Sequence, residues 1–126
     1  MSSIFLFDIA SQRNQWLSIR QSTIASNIAN ANTPGYTAMD VQPFEAVMES
    51  SSLEMARSDG AHMDAPGQQL SNVETEQEDS WHIFDSGNSV SLEDEMVRAS
   101  EVNSAFTLNN NVVRAFHRML IASSKG

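Results

Sequence analysis

The chain has 126 residues, no cysteine, and 16 acids against 7 lysines and arginines, for a formal net charge of −9. That length holds one lean domain, and the missing thiols exclude disulfide frameworks, thiolate zinc sites and cysteine nucleophiles. Residues 1–35 carry a net charge of +1, residues 36–90 a net of −10 and residues 91–126 a net of zero, so the middle repels anionic surfaces, and neither nucleic acid nor acidic lipid is an expected partner.

Near the start, Ile4, Phe5, Leu6 and Phe7 form an apolar run closed by Asp8. It is far too short to span a bilayer, so no membrane insertion is expected. No basic residue precedes the run and no small-residue cleavage site follows it, so no cleaved secretory leader is expected either. Residues 3–32 predict one long helix: Phe7, Ala10, Leu17, Ile24, Ile28 and Ala31 recur at spacings of three, four or seven, and Ile9 and Trp16 widen the stripe. The other faces carry Ser11, Gln12, Asn14, Gln15, Ser18 and Gln21, polar but uncharged. A solvated face accounts for this, and so does contact with neighbours in a crowded assembly.

The helix ends in Ala25-Ser26-Asn27-Ile28-Ala29-Asn30-Ala31-Asn32-Thr33-Pro34-Gly35-Tyr36. Ala25, Ile28 and Ala29 continue the apolar stripe, while Asn27 and Asn30, three apart, share another face. Pro34 disfavours helical geometry at Thr33 and lacks a backbone donor, so the helix must finish by about Asn32. Thr33, Pro34, Gly35 and Tyr36 suit a type II turn, with proline second and glycine supplying the positive φ third. Small side chains let another backbone come close, and paired amides can set a neighbour's register.

This pattern, Ala-x-Asn-Ile-Ala-Asn-x-x-Thr-Pro-Gly-Tyr closing an N-terminal helix, resembles the signature of the bacterial flagellar rod, hook and hook-associated axial proteins. Asn27, Ile28, Ala29, Asn30, Thr33, Pro34, Gly35 and Tyr36 match it and form the expected assembly corner. The resemblance favours the second account of the uncharged faces.

Residues 37–90 differ in kind. Pro43, Gly60, Pro66-Gly67 and Ser86-Gly87-Asn88 break them. Residues 44–48 read as one or two helical turns, residues 53–57 as a short strand or helical turn, and residues 81–84 as a short strand. Residues 74–80 are acidic and lack aliphatic side chains. The expectation is an acidic, partly ordered insert with one small hairpin.

Residues 91–123 predict the second long helix. Ser91 is a good N-cap, and Glu93, Asp94 and Glu95 suit the positive end of the helix dipole. Leu92, Ala99, Phe106, Val113 and Leu120 repeat every seven residues, with Val102 and Phe116 at the matching half-heptad positions; Glu95, Asn109 and Ser123 do not fit that second row. Met96, Ala105, Val112 and Met119 broaden the seam, enough for more than one partner. Each terminal helix should be about 45 Å long.

These elements predict a mainly α fold. Residues 1–36 and 91–126 supply two long helices forming an antiparallel, coiled-coil-like hairpin, and residues 37–90 form a short irregular or small β insert. The packing residues are Leu17, Ile24, Leu92, Ala99, Val102, Phe106, Val113, Phe116 and Leu120. A hairpin buries one seam only, and ordering each backbone residue costs about 1–2 kcal/mol, so an isolated hairpin of this length is marginal. Folding and assembly are therefore expected to be coupled.

No constellation of catalytic type is present. His62-x-Asp64 and His82-x-x-Asp85 lie among unrelated acids, without a second histidine at helical spacing. His117 reads as a surface or inter-subunit contact. The acids at 74–79 and 93–95 read as a solvated run and a helix start, not as paired catalytic carboxylates. Neither enzyme activity, a metal nor a cofactor is expected.

The short insert, and Asn88-Ser89-Val90-Ser91-Leu92-Glu93-Asp94-Glu95-Met96 leading into the second helix, resemble the proximal rod subunits among the axial proteins. That resemblance implies a structural subunit of the rod in the flagellar basal body, crossing the periplasm and transmitting torque. It implies self-association, other rod subunits (FlgC-like and further rod proteins), a FliE-like basal adaptor and the flagellar type III export apparatus as partners. The competing expectation is an autonomous coiled-coil adaptor with one cytosolic partner.

Overall fold

Two long helices and a small central layer make up the molecule. The structure is a computed structural model, and it describes residues 2–57, 73–77 and 86–126. In chain order the elements are α1 (Ser2–Ala29), β1 (Met39–Val41), α2 (Phe44–Arg57), β2 (Thr75–Gln77) and α3 (Leu92–Lys125). The mainly α architecture with a small β insert is the expected one.

α1 and α3 run antiparallel. Phe7 meets Phe116 edge to face with ring centroids 5.6 Å apart, Asn109 reaches the Ala10 carbonyl and Asn14, Arg20 approaches Glu101 at 3.8 Å, and Asn27 bonds Glu95. The start of α3 follows its sequence signals. Ser91 is extended at φ −100°, ψ 114°, its side chain accepts from the Asp94 amide, and Glu93, Asp94 and Glu95 occupy the first turn.

The buried core lies at one end of the hairpin, where β1 and α2 cover it. Trp16, Leu17 and Ile24 from α1 pack with Val41, Phe44 and Val47 from the insert and Val102 from α3. Each fully buried aliphatic side chain contributes about 1.5–3 kcal/mol relative to exposure. Trp16 also donates its indole N–H to the Gln42 carbonyl at 2.8 Å, so its polar edge is satisfied where its ring is buried.

α2 is longer than the one or two turns expected, and it absorbs residues 53–57 as helix. The Pro43 carbonyl accepts from the Val47 amide to open it, and Phe44 packs against Trp16 with centroids 6.0 Å apart. That long-range contact anchors a segment whose serines and glutamates give little local signal. β1 and β2 pair antiparallel, Met39 opposite Gln77, Asp40 opposite Glu76 and Val41 opposite Thr75. The small sheet therefore joins distant segments across α2 instead of forming a tight hairpin. The strand expected at residues 81–84 lies outside the described residues.

The other end of the hairpin has no covering layer among the described residues. Leu108, Val112 and Met119 of α3 are 66%, 45% and 62% exposed. Two of the expected packing residues, Leu92 and Leu120, are also exposed. Leu92 stands on the opening turn of α3 and Leu120 on its last turns.

Candidate functional site

The end of α1 is built around the side chain of Asn27, which has no exposed surface. Its Nδ2 donates to the Met39 carbonyl at 2.7 Å and to Glu95 Oε1 at 3.1 Å. Its Oδ1 accepts from the Tyr36 hydroxyl at 3.2 Å and the Met39 amide at 3.1 Å. Both donor hydrogens and both acceptor positions of one amide are used. α1, the corner, β1 and α3 are held together by this group.

Here the sequence expectation needs correction. Ala25, Ile28 and Ala29 do not continue the buried stripe; all three are exposed, and the Asn27 face is the one turned inward. Approaching its end, α1 meets the backbone of β1, which needs hydrogen-bond partners more than apolar cover. Regular helix stops at Ala29, and tighter turns follow, with the Ala31 amide donating to the Ile28 carbonyl and the Thr33 amide to the Asn30 carbonyl. Asn30 faces outward, donating to the Ser26 carbonyl and accepting from the Thr33 hydroxyl.

The corner itself has the expected geometry. The Tyr36 amide donates to the Thr33 carbonyl at 3.2 Å and Gly35 has φ +74°, which together define a type II turn. Thr33, Pro34 and Gly35 are exposed while Tyr36 is half-buried.

Residues 86–90 clamp this corner from behind. Asn88 is 1% exposed, and its Nδ2 faces the carbonyls of Asn30, Ala31 and Thr33 at 2.7–3.1 Å. These carbonyls at and beyond the end of α1 lack regular helical partners. Asn88 Oδ1 accepts from the Val90 amide. The Ser89 amide donates to the Tyr36 carbonyl, Ser89 Oγ accepts from the Ala38 amide, and the Gly35 amide donates to the Ser86 carbonyl. Gly87, at φ +78°, lies so close that a Cβ there would sit 3.5 Å from Gly35 Cα. Asn88 stands in the motif leading into the second helix, but nothing local in sequence shows that it caps a helix more than 50 residues earlier.

Glu95 is the charged member of the cluster, 1% exposed. Its Oε1 accepts from Asn27 and from Arg98 Nη1 at 2.9 Å, whereas Oε2 is buried with no hydrogen-bond partner among the described residues. Burial pushes its pKa above the ordinary 4.5; the Asn27 hydrogen bond and Arg20 oppose the rise, and Asp40 and Asp94 add to it. The heptad misfits are thus the polar ties of the seam: Glu95 bonds Asn27, and Asn109 bonds Asn14.

Of the expected packing residues, Leu17, Ile24 and Val102 are buried, and Ala99, Phe106, Val113 and Phe116 are half-buried. His62, Asp64, His82 and Asp85 lie outside the described residues. Among the described residues no three His, Cys, Asp or Glu side chains are grouped to hold a metal ion, and no helix is long and apolar enough to cross a membrane.

A family model described as flagella basal body rod protein matches residues 7–37, the stretch that contains Asn27 and the corner. The flagellar basal body rod protein FlgB of Agrobacterium fabrum (strain C58) is 40% identical over 129 residues, 99% of this chain and 96% of that protein. The chain belongs to the flagellar basal body rod protein family. It is a structural component of the rod in the bacterial flagellar basal body. Within this rod protein, the family match falls on the segment whose side chains join both terminal helices to the central layer.

Proposed function

We propose that this rod protein is a proximal subunit of the FlgB type, and that it carries torque through many interlocked helix contacts. Its partners are other copies, FlgC-like and further rod subunits, a FliE-like basal adaptor and the export apparatus. The observation that carries this reading is the second apolar stripe of α3. Leu108, Val112 and Met119, spaced four and seven apart, form an exposed face beside the seam that packs on α1. A helix with two apolar faces is completed by neighbours, and a rod supplies them.

The Asn27-centred corner fixes how the central layer leaves the helix pair. Exposed Thr33, Pro34 and Gly35 present that turn to adjacent subunits, and Ile28 and Ala29 give it an apolar flank. The near-complete span of the FlgB relative favours this subunit over its FlgC sister. The autonomous adaptor reading gains no support from these similarities.

The test is deletion of the gene in its host followed by electron microscopy of isolated basal bodies. Assembly halted at the base of the rod, and restored by the intact gene, is the expected result. Complete rods in the deletion strain would overturn the reading. Complementation with Pro34→Ala combined with Gly35→Val should fail to restore motility; normal motility would overturn the role given to the corner.

A further inference from the structure

The corner at the end of α1 finds few partners within its own segment. Its local bonds are those of tight turns, from the Thr33 amide to the Asn30 carbonyl and from the Tyr36 amide to the Thr33 carbonyl. Asn32, Thr33, Pro34 and Gly35 are exposed. Little apolar surface is therefore buried here to offset the backbone freedom that an ordered turn gives up.

The bonds that hold the corner come from residues 86–95. The Gly35 amide donates to the Ser86 carbonyl, the Ser89 amide donates to the Tyr36 carbonyl, and the Ala38 amide donates to Ser89 Oγ. Asn88 Nδ2 faces the carbonyls of Asn30, Ala31 and Thr33, and Asn27 bonds Glu95. Ala38, Asn88 and Val90 are 0%, 1% and 2% exposed, so the two segments share one interior. The dependence is mutual. Residues 86–91 are neither helix nor strand, and the Ser86 and Ser89 backbone bonds run to the corner.

We propose that residues 86–95 are a clasp that decides whether the corner exists: the turn offered to neighbouring subunits forms only when the entry to α3 has docked on it. A neighbour that engages the turn fastens the start of α3 in return, because coupling between two sites is reciprocal. Ser89 follows Ala38 by 51 residues. A chain made from its N-terminus thus carries the corner's sequence before it can carry the corner's shape, and an incomplete subunit presents no assembly turn. This inference rests on the assembly role given to the corner and adds what switches that surface on.

Amide hydrogen exchange resolved to single residues tests the clasp. The Tyr36 amide is the decisive reporter, because its own bond is local to the turn. In the wild-type full chain, free and in isolated basal bodies, Tyr36 and Ser89 should open together, with one protection level and one urea dependence. Tyr36 protected under conditions where Ser89 is open would overturn the proposal.

Two variants read the coupling in each direction. Gly87 has φ +78°, and a Cβ there would meet Gly35 at ordinary contact distances of 3.5 and 3.7 Å. Gly87→Ala therefore strains the clasp and removes no group from the corner. Exchange at Tyr36 and Ser89 should rise together, by roughly tenfold for an L residue forced into the left-handed region. The Val47 amide, which bonds the Pro43 carbonyl at the start of α2, should not change. Gly35→Val strains the corner and should speed Ser89 by a similar factor. A rise confined to the strained segment in either variant would overturn the proposal and leave the corner's assembly role standing. A shared rise in Gly87→Ala, with undiminished recovery of that variant in basal bodies, would uphold the clasp and remove the assembly role instead.

Discussion

The side-chain amide of Asn27 donates to Glu95 Oε1 at 3.1 Å across 68 residues of sequence, and both side chains are buried. The pair binds the end of the first helix to the start of the last, while the same amide bonds Met39 and Tyr36. Asn27→Ala would leave the backbone groups of Met39 and the carboxylate of Glu95 short of partners. A buried polar group left unpaired costs roughly 1–3 kcal/mol, so the expected loss is about 3 kcal/mol. Urea unfolding followed by circular dichroism measures it.

The burial of Glu95 sets a pH dependence with a definite sign. Its pKa is raised in the folded chain above the ordinary 4.5, so the folded state binds this proton more tightly than the unfolded state does. The corresponding stabilisation is fully present below the unfolded value and is lost as pH rises through the folded one. Glu95→Gln removes that dependence while retaining an acceptor for Asn27. The difference in unfolding free energy between variant and wild type should move in the variant's favour as pH rises from about 4 towards neutrality.

The corner responds to backbone changes. Gly35→Val forces a β-branched residue to φ +74°, at a cost of roughly 1–2 kcal/mol. Asn88→Ala strips the donor from the carbonyls of Asn30, Ala31 and Thr33, at roughly 1–3 kcal/mol for the groups left unpaired. Hydrogen exchange should locate both losses in residues 29–38, with the middle of α3 less affected.

How much of this was legible beforehand depends on the range of the interaction. The Thr33-Pro34-Gly35-Tyr36 turn and the Ser91 cap are local, and their residues state them. The seven-residue repeat placed Val102 and Phe106 against α1. Glu95 and Asn109 interrupt that repeat, yet they sit on the seam because Asn27 and Asn14 stand opposite, and a polar partner on a distant helix leaves no mark on local periodicity. The inward turn of Asn27 in place of Ile28 has the same origin: β1 has no apolar alternation to announce it, and its backbone is what Asn27 binds. α2 outgrew its weak local signal because Phe44 finds Trp16.

Stability and assembly should separate along the hairpin. Leu17 is 1% exposed, so Leu17→Ala should cost about 3 kcal/mol. Leu108→Ser and Met119→Ser replace exposed side chains and should change stability by less than about 0.5 kcal/mol. Thermal melts of purified protein and the amount of each variant recovered in basal bodies test the split. The two serine variants should melt like wild type and be depleted from basal bodies.

Hydrogen exchange on dilute protein bears most directly on the claim that neighbouring copies complete the uncovered end of the helix pair. Amides of residues 16–28 and 95–104, beside the core and the Asn27 cluster, should be protected to the level of global unfolding. Those of residues 5–12 and 108–122 should exchange far faster in the free chain and slow strongly in isolated basal bodies. Uniform, full protection along both helices in a dilute monomer would contradict the account.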